Sequence, residues 1–152
     1  MSFDLQPVRG VYERIVIDAM APVPVFVENQ AAVNFDALDE YCLVRINFGE
    51  VQAPVVGYRS QWHIRGSLVC EIYTRKNIGP GRGMQIAAPA MSALTALNDL
   101  PATDTQEIVA RVGAASGPTQ DQLTPRPHHF TRFSFPIRAR CRPVIAPHAP
   151  VP

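Results

Sequence analysis

The chain has 152 residues and a mass of 16.7 kDa, with 47% hydrophobic and 18% charged residues. This balance predicts one globular domain and excludes a disordered chain. The formal net charge of +1 argues against a general nucleic-acid binder, which carries a clear basic excess. There is no signal-peptide pattern, no apolar run near the roughly 20 residues of a membrane span, and no disulfide framework, so we expect a protein of a reducing cytoplasm.

The N-terminal segment is predicted to be a helix that Pro22 ends. Ser2 or Asp4 can cap this helix, and Pro7 is tolerated in its first turn. Its apolar residues recur at helical spacing and form one stripe: Leu5, Val8, Tyr12, Ile15, Val16 and Ala19.

Alternating apolar and polar residues predict five strands, over residues 24–28, 41–48, 60–74, 106–112 and 129–142. The segments between them that are rich in polar residues, proline or glycine are predicted to be loops, over 29–39, 49–57 and 113–128. Val51 and the pair Val55–Val56 leave open a longer second strand. The second and third strands are expected to form a long antiparallel hairpin, and Pro136 favours an edge or a bulge.

The turn Gly79–Gly83 leads into a second predicted helix. Pro89 is expected near the first turns of this helix, where it starts or kinks it. The apolar stripe of this helix consists of Ala87, Ala90, Met91, Leu94 and Leu97. One apolar face per element predicts an α+β fold of two layers, with an antiparallel or mixed sheet and both helices on one side. We expect a single domain over 1–142 and a proline-rich C-terminal arm over 143–152.

Several patterns resemble reactive sites, and each has a simpler interpretation. Gly79–Gly83 lies where phosphate loops lie but matches neither phosphate-loop nor dinucleotide motifs, so we predict a turn. His128 and His129 are neighbours on a strand and point to opposite faces, so they cannot chelate one ion. The three cysteines fall on the apolar sides of their strands and are expected to be reduced and buried: Cys42, Cys70 and Cys141. We therefore predict no catalytic, cofactor-binding or metal-binding residues.

Two charged groups are more informative. Arginines repeat on one parity of the last strand, at Arg132, Arg138, Arg140 and Arg142. Acidic residues cluster before the second strand, at Asp36, Asp39 and Glu40. The arginine face could be a solvated surface, a wall facing DNA, or a subunit interface with a neighbour's Asp36, Asp39, Glu50 or Glu71. We predict the interface, with Arg132, Arg138, Arg140, Arg142, Asp36 and Asp39 as candidate residues, because the near-neutral net charge disfavours DNA.

Three runs occur in a characteristic order. They are Pro-Val-Phe-Val-Glu-Asn at 24–29, Tyr-Cys-Leu-Val-Arg-Ile at 41–46 and Arg-Gly-Ser-Leu-Val-Cys-Glu-Ile-Tyr at 65–73. Gly79–Gly83 and an alanine-rich helix follow. Together they resemble the tail-terminator or tail-completion proteins of long-tailed phages, over Pro22 to Leu97. Pro89 and the proline-rich tail depart from that pattern, which leaves the start of the second helix and the C-terminal contacts open.

The resemblance implies a structural virion protein and not an enzyme. It implies a homo-oligomeric ring, usually of six copies, that caps the tail tube at the head–tail junction and meets the head-side connector or stopper protein. DNA would pass through the ring lumen without specific binding, and no cofactor or membrane is implied. Such subunits assemble in the host cytoplasm. Another neck or tail-tube ring, or a small ligand-binding or enzymatic domain, stays open as an alternative.

Overall fold

A computed structural model describes residues 5–28, 34–52, 61–75, 81–101, 108–121 and 128–141. Over these residues the chain forms α1 (Gln6–Met20), β1 (Val25–Val27), β2 (Glu40–Gln52), β3 (Trp62–Arg75), α2 (Gly81–Ala96), β4 (Ile108–Val112), β5 (Ser116–Asp121) and β6 (His128–Cys141). Short 3-10 turns lie at Phe35–Ala37 and Leu97–Asp99. The predicted C-terminal arm and Arg142 lie outside the described residues.

The strands form one mixed sheet in the order β1-β2-β3-β6-β4. β5 also pairs with β6, beyond the end of β4 and along the same edge. β1 runs parallel to β2, and every other pairing is antiparallel, including the expected long hairpin of β2 and β3. Both helices cover one face of this sheet, which confirms the predicted two-layer α+β fold.

The core lies between the helices and the sheet face that they cover. α1 contributes a buried stripe at regular four-residue intervals: Val8, Tyr12, Val16 and Met20. The strands contribute alternate residues, which the helices remove from water: Cys42, Val44, Ile46, Ile64, Leu68, Cys70, Ile72, Phe133, Phe135, Ile137 and Cys141. The three cysteines are therefore buried and free, as the sequence predicts. The neighbouring Cys42 thiol, together with burial, raises the pKa of Cys70 well above its usual value.

Helix boundaries differ from the prediction at both helices. Leu5 precedes α1 and provides no side-chain cap, while the predicted caps Ser2 and Asp4 lie outside the described residues. α2 begins at Gly81, so Pro89 lies in the helix interior and not in its first turns. Pro89 is on the exposed side of α2, where its ring stays clear of the buried stripe.

Two predicted loops are partly wrong, because each contains strand residues. Polar residues can also form strands at the edge of a sheet. β2 continues to Gln52 through a bulge between Phe48 and Glu50. Val51 therefore extends the sheet, as the longer second strand left open by the sequence would have it. The predicted loop 113–128 contains β5, a solvated edge strand with little apolar content. Residues 53–57 lie outside the described part of the chain.

Pro136 lies in the interior strand β6, although its residue type favours an edge. The amide N–H of Gly113 donates to the carbonyl oxygen of Pro136 at 2.7 Å. In an antiparallel strand the N–H and C=O of one residue point to the same side. The missing N–H of Pro136 therefore faces the gap between β4 and β5, where no ladder partner is lost.

Candidate functional site

The sheet face turned away from the helices, here called the open face, carries half of the 14 basic residues of the chain. Strands β2, β3, β4 and β6 place seven arginines and two glutamates on it: Arg45, Arg65, Arg75, Arg111, Arg132, Arg138, Arg140, Glu50 and Glu71. These strand residues have a formal excess of five positive charges, whereas the whole chain has +1, so the remainder, which includes Asp36 and Asp39, carries −4. The near-neutral total conceals a strongly polarised molecule.

Three arginines form a row across adjacent strands. Arg65 on β3 is directly opposite Arg138 on β6, and Arg138 is directly opposite Arg111 on β4. Neighbouring strands are about 5 Å apart, and like charges placed directly opposite each other destabilise a sheet. The second row, about 7 Å further along, contains His63 and Arg140.

These side chains surround a shallow concavity of about 390 Å³, here called the arginine concavity. Its polar walls carry His63, Arg65, Arg111, Arg138 and Arg140, and the rest of the lining is Gln52, Ile64, Val109 and Ala139. A second depression of about 440 Å³ adjoins it and shares two of the arginines. Within the described residues, no carboxylate lies within 4.0 Å of the guanidinium groups in this concavity.

Arg111 is held at the edge of the concavity by backbone groups. Its guanidinium donates to the carbonyl oxygens of Ala110 at 2.9 Å and Leu100 at 2.7 Å. These bonds satisfy part of its hydrogen-bonding capacity, and no carboxylate of the described residues lies within 4.0 Å of it. The arginine row therefore combines one anchored guanidinium with two exposed ones, Arg65 and Arg138.

Tyr12 of α1 supports the row from beneath the sheet. Its hydroxyl lies 2.8 Å from the carbonyl oxygen of Arg111 and 3.0 Å from that of Arg138. The same hydroxyl accepts the amide N–H of Arg111 at 3.2 Å. Burial raises the pKa of Tyr12 to about 12, against opposing effects of the Arg111 and Arg138 groups. The hydroxyl therefore stays protonated and ties β4 to β6 under the two arginines.

The acidic residues lie at the other end of the sheet. Arg75 donates to a carboxylate oxygen of Asp39 at 3.3 Å and to the backbone oxygen of Asp36 at 2.9 Å. Glu40 accepts two bonds from Arg82, at 2.7 and 3.2 Å, so it is already paired. The side chain of Asp39 is nevertheless 85% exposed. We call this segment the acidic end, defined by Asp36 and Asp39.

Aromatic stacking fixes the acidic end on the open face. Phe35, from the 3-10 turn, stacks on Tyr41 with ring centroids 4.8 Å apart, and Tyr41 stacks on Tyr73 at 4.7 Å. The buried His128 ring contributes a nitrogen 2.7 Å from the carbonyl oxygen of Leu38. The predicted loop is therefore held against the sheet by a small second core.

The structure separates the predicted interface residues into three places. Arg138 and Arg140 come together with Arg65 and Arg111, which the sequence interpretation did not include. Arg132 lies six residues from Arg138, about 20 Å along β6, and is directly opposite Glu71. Asp36 and Asp39 lie at the acidic end. The alternating pattern of β3 places Arg65 on the polar side of its strand, which could have indicated that it lies on the open face. Its position opposite Arg138 depends on the pairing of β3 with β6, which no local pattern specifies.

Other reactive groups are dispersed. Among the described residues, no three histidine, cysteine or acidic side chains are placed to share a metal ion. His129 pairs opposite Thr74 on the helix side of β6, whereas its neighbour His128 faces the open side, as strand alternation predicts. Of the helices that the structure describes, neither is both long and apolar enough to cross a bilayer.

Neither a family model nor a curated protein matches this chain. What the chain does must therefore be inferred from its own geometry and charge, together with the sequence resemblance. The polarised sheet is the feature that bears most directly on that inference.

Proposed function

We propose that the protein is a structural virion subunit that forms a ring, of six copies in the expected case, at the head–tail junction of a long-tailed phage. The ring would cap the tail tube and join it to the head-side connector or stopper protein. The resemblance to tail-terminator proteins supports this proposal, because the matching run includes β1, β2, β3 and α2. Another neck or tail-tube ring would have the same kind of subunit.

The polarised sheet is the observation that carries the proposal. A closed ring needs heterologous contacts, in which two different surfaces of each subunit complement each other. The acidic end and the arginine-rich remainder of the open face provide two such surfaces, opposite in charge and borne by one sheet. Head-to-tail stacking of Asp36 and Asp39 against Arg132 of the next subunit would close a ring without a two-fold axis. The wider interface predicted from the sequence also contains Arg138, Arg140 and Arg142.

A charge-reversal experiment tests this contact. Changing Asp36→Arg and Asp39→Arg should leave the subunit folded and abolish ring formation, since like charges would then meet across the contact. Adding Arg132→Glu should partly restore assembly. The matched control is Asp99→Arg, an exposed acidic residue away from the acidic end. Size-exclusion chromatography with light scattering measures assembly, and normal assembly of the double reversal would rule out this contact.

A further inference from the structure

We propose that the arginine concavity binds the sugar-phosphate backbone of double-stranded nucleic acid, without reading its sequence. This proposal goes beyond the ring and does not depend on it. It assigns Arg138 and Arg140 to a nucleic-acid contact in place of the subunit contact predicted from the sequence. The groups involved are the guanidiniums of Arg65, Arg111, Arg138 and Arg140, with His63 beside them.

The arginine row carries an electrostatic cost of its own. Placing Arg65, Arg138 and Arg111 side by side is unfavourable unless an anion opposes them. Arginine forks bind phosphate oxygens in pairs, and spacings of about 5 Å across strands and 7 Å along them suit several phosphates at once. Glu50 on β2 is directly opposite Arg65 and offsets part of this repulsion. No described carboxylate lies within 4.0 Å of Arg138 or Arg111, so a polyanion would relieve the part that remains.

The phosphates of nucleic acid suit this concavity better than the carboxylates of a second copy of the chain. Several acidic residues of the chain are already within 4.0 Å of an arginine: Glu28, Asp39, Glu40 and Glu71. The acidic end has two carboxylates, those of Asp36 and Asp39, and Asp39 already pairs with Arg75, so it cannot neutralise four guanidiniums. A nucleic-acid duplex has about one charge per 1.7 Å of its axis and matches the concavity much better.

The lining also distinguishes binding to the sugar-phosphate backbone from stacking on the bases. No phenylalanine, tyrosine or tryptophan side chain is among the lining residues. The stacked rings Tyr41 and Tyr73 lie at the far end of the open face, beneath Phe35. Single-stranded nucleic acid is bound largely by stacking on aromatic rings, whereas duplexes are held by basic contacts to phosphate. The concavity has the second kind of chemistry only.

Fluorescence anisotropy with a labelled 20-base-pair DNA duplex tests the proposal. Over 50 to 200 mM salt, three to four phosphate contacts predict a log–log slope of affinity against salt of about −3 to −4. Arg138→Gln with Arg140→Gln should lower the affinity about tenfold or more and reduce the slope by about two. The charge-matched control, Arg9→Gln with Arg14→Gln on α1, should stay within about twofold of the wild type. Thermal melting confirms that each variant is folded.

Four results would overturn the proposal. One is no duplex binding by the wild type at 50 mM salt. The second is an equal loss of affinity in the α1 control, which would mean that only overall charge matters. The third is a variant that binds DNA normally but loses self-association, which would assign Arg138 and Arg140 to a protein contact. Tighter binding of a single strand than of the duplex would likewise exclude a backbone site. Duplex binding by a protein that forms no ring at the head–tail junction of the particle would refute the ring and leave this site intact.

Discussion

Replacing Tyr12 by phenylalanine removes one buried oxygen and retains the ring. In the folded protein that oxygen contacts two carbonyl oxygens and one amide N–H, of Arg111 and Arg138. A buried polar group left without a partner costs about 1–3 kcal/mol, and here the Arg111 amide loses its acceptor. We expect Tyr12→Phe to lower the free energy of unfolding by about 2 kcal/mol, with a drop in Tm of roughly 4–8 °C.

The pH dependence of stability provides a second signature of the same hydroxyl. Its pKa is about 12 in the folded protein, raised by burial from an ordinary value of 10.0. Between these values the unfolded chain releases the proton and the folded chain keeps it. The contribution to stability is therefore complete below pH 10 and lost as pH rises towards 12. It amounts to about 2–3 kcal/mol, of which about half is lost by pH 11.

Urea unfolding between pH 8 and pH 11, followed by the fluorescence of the single tryptophan, measures both effects. Wild type should lose about 1.4 kcal/mol more than Tyr12→Phe over this range. Tyr73→Phe, which removes a hydroxyl that donates to Glu71 Oε2 at 3.2 Å, is the control for a tyrosine hydroxyl outside the β4–β6 contact. It should keep the alkaline decline of the wild type, because Tyr12 is unchanged. A Tyr12→Phe protein within about 0.5 kcal/mol of wild type, with the same alkaline decline, would refute the reasoning.

The other predictions concern packing and the C-terminus. Cys70→Ala should cost about 1 kcal/mol or somewhat more as a small core truncation, and fast thiol labelling of the native protein would contradict its burial. Gly66→Ala should destabilise by about 2 kcal/mol or more in chemical unfolding, because its Cβ would overlap the carbonyl oxygen of Asn47. Gly10→Ala should instead stabilise by about 0.5–1 kcal/mol, since nothing lies within 4 Å of the new Cβ; equal effects at the two glycines would be inconsistent with this packing. Deletion of residues 143–152 should preserve cooperative unfolding and impair assembly, and loss of the transition would show instead that the tail belongs to the fold.

The main elements were predictable because their side chains alternate between water and the core. β2, β3 and β6 show period-two patterns over their lengths, and both helices show apolar stripes. β5 was not predictable, because an edge strand that faces solvent needs no apolar alternation. The end of β2 was not predictable either, because a bulge follows Phe48. Gly49 at this bulge indicates a turn when only its neighbours in sequence are considered.

The site was predictable only in part, because charge pairing across a sheet depends on register. Alternation placed Arg138 and Arg140 on one face, but Arg65 and Arg111 join them through pairings between distant segments. Tyr12 fits an apolar helix stripe, and only the position of β4 explains its hydroxyl. Net charge gives little information about the site for a related reason, since a sum over the chain does not say how charge is distributed over its surface.

Electron microscopy of phage particles grown with a tagged copy of this protein tests the central proposal most directly. The proposal predicts tagged density as one closed ring between the tail tube and the head, with the acidic end of each subunit against the open face of the next. Particles without the tag, or tagged density at the junction that does not close into a ring, would contradict it.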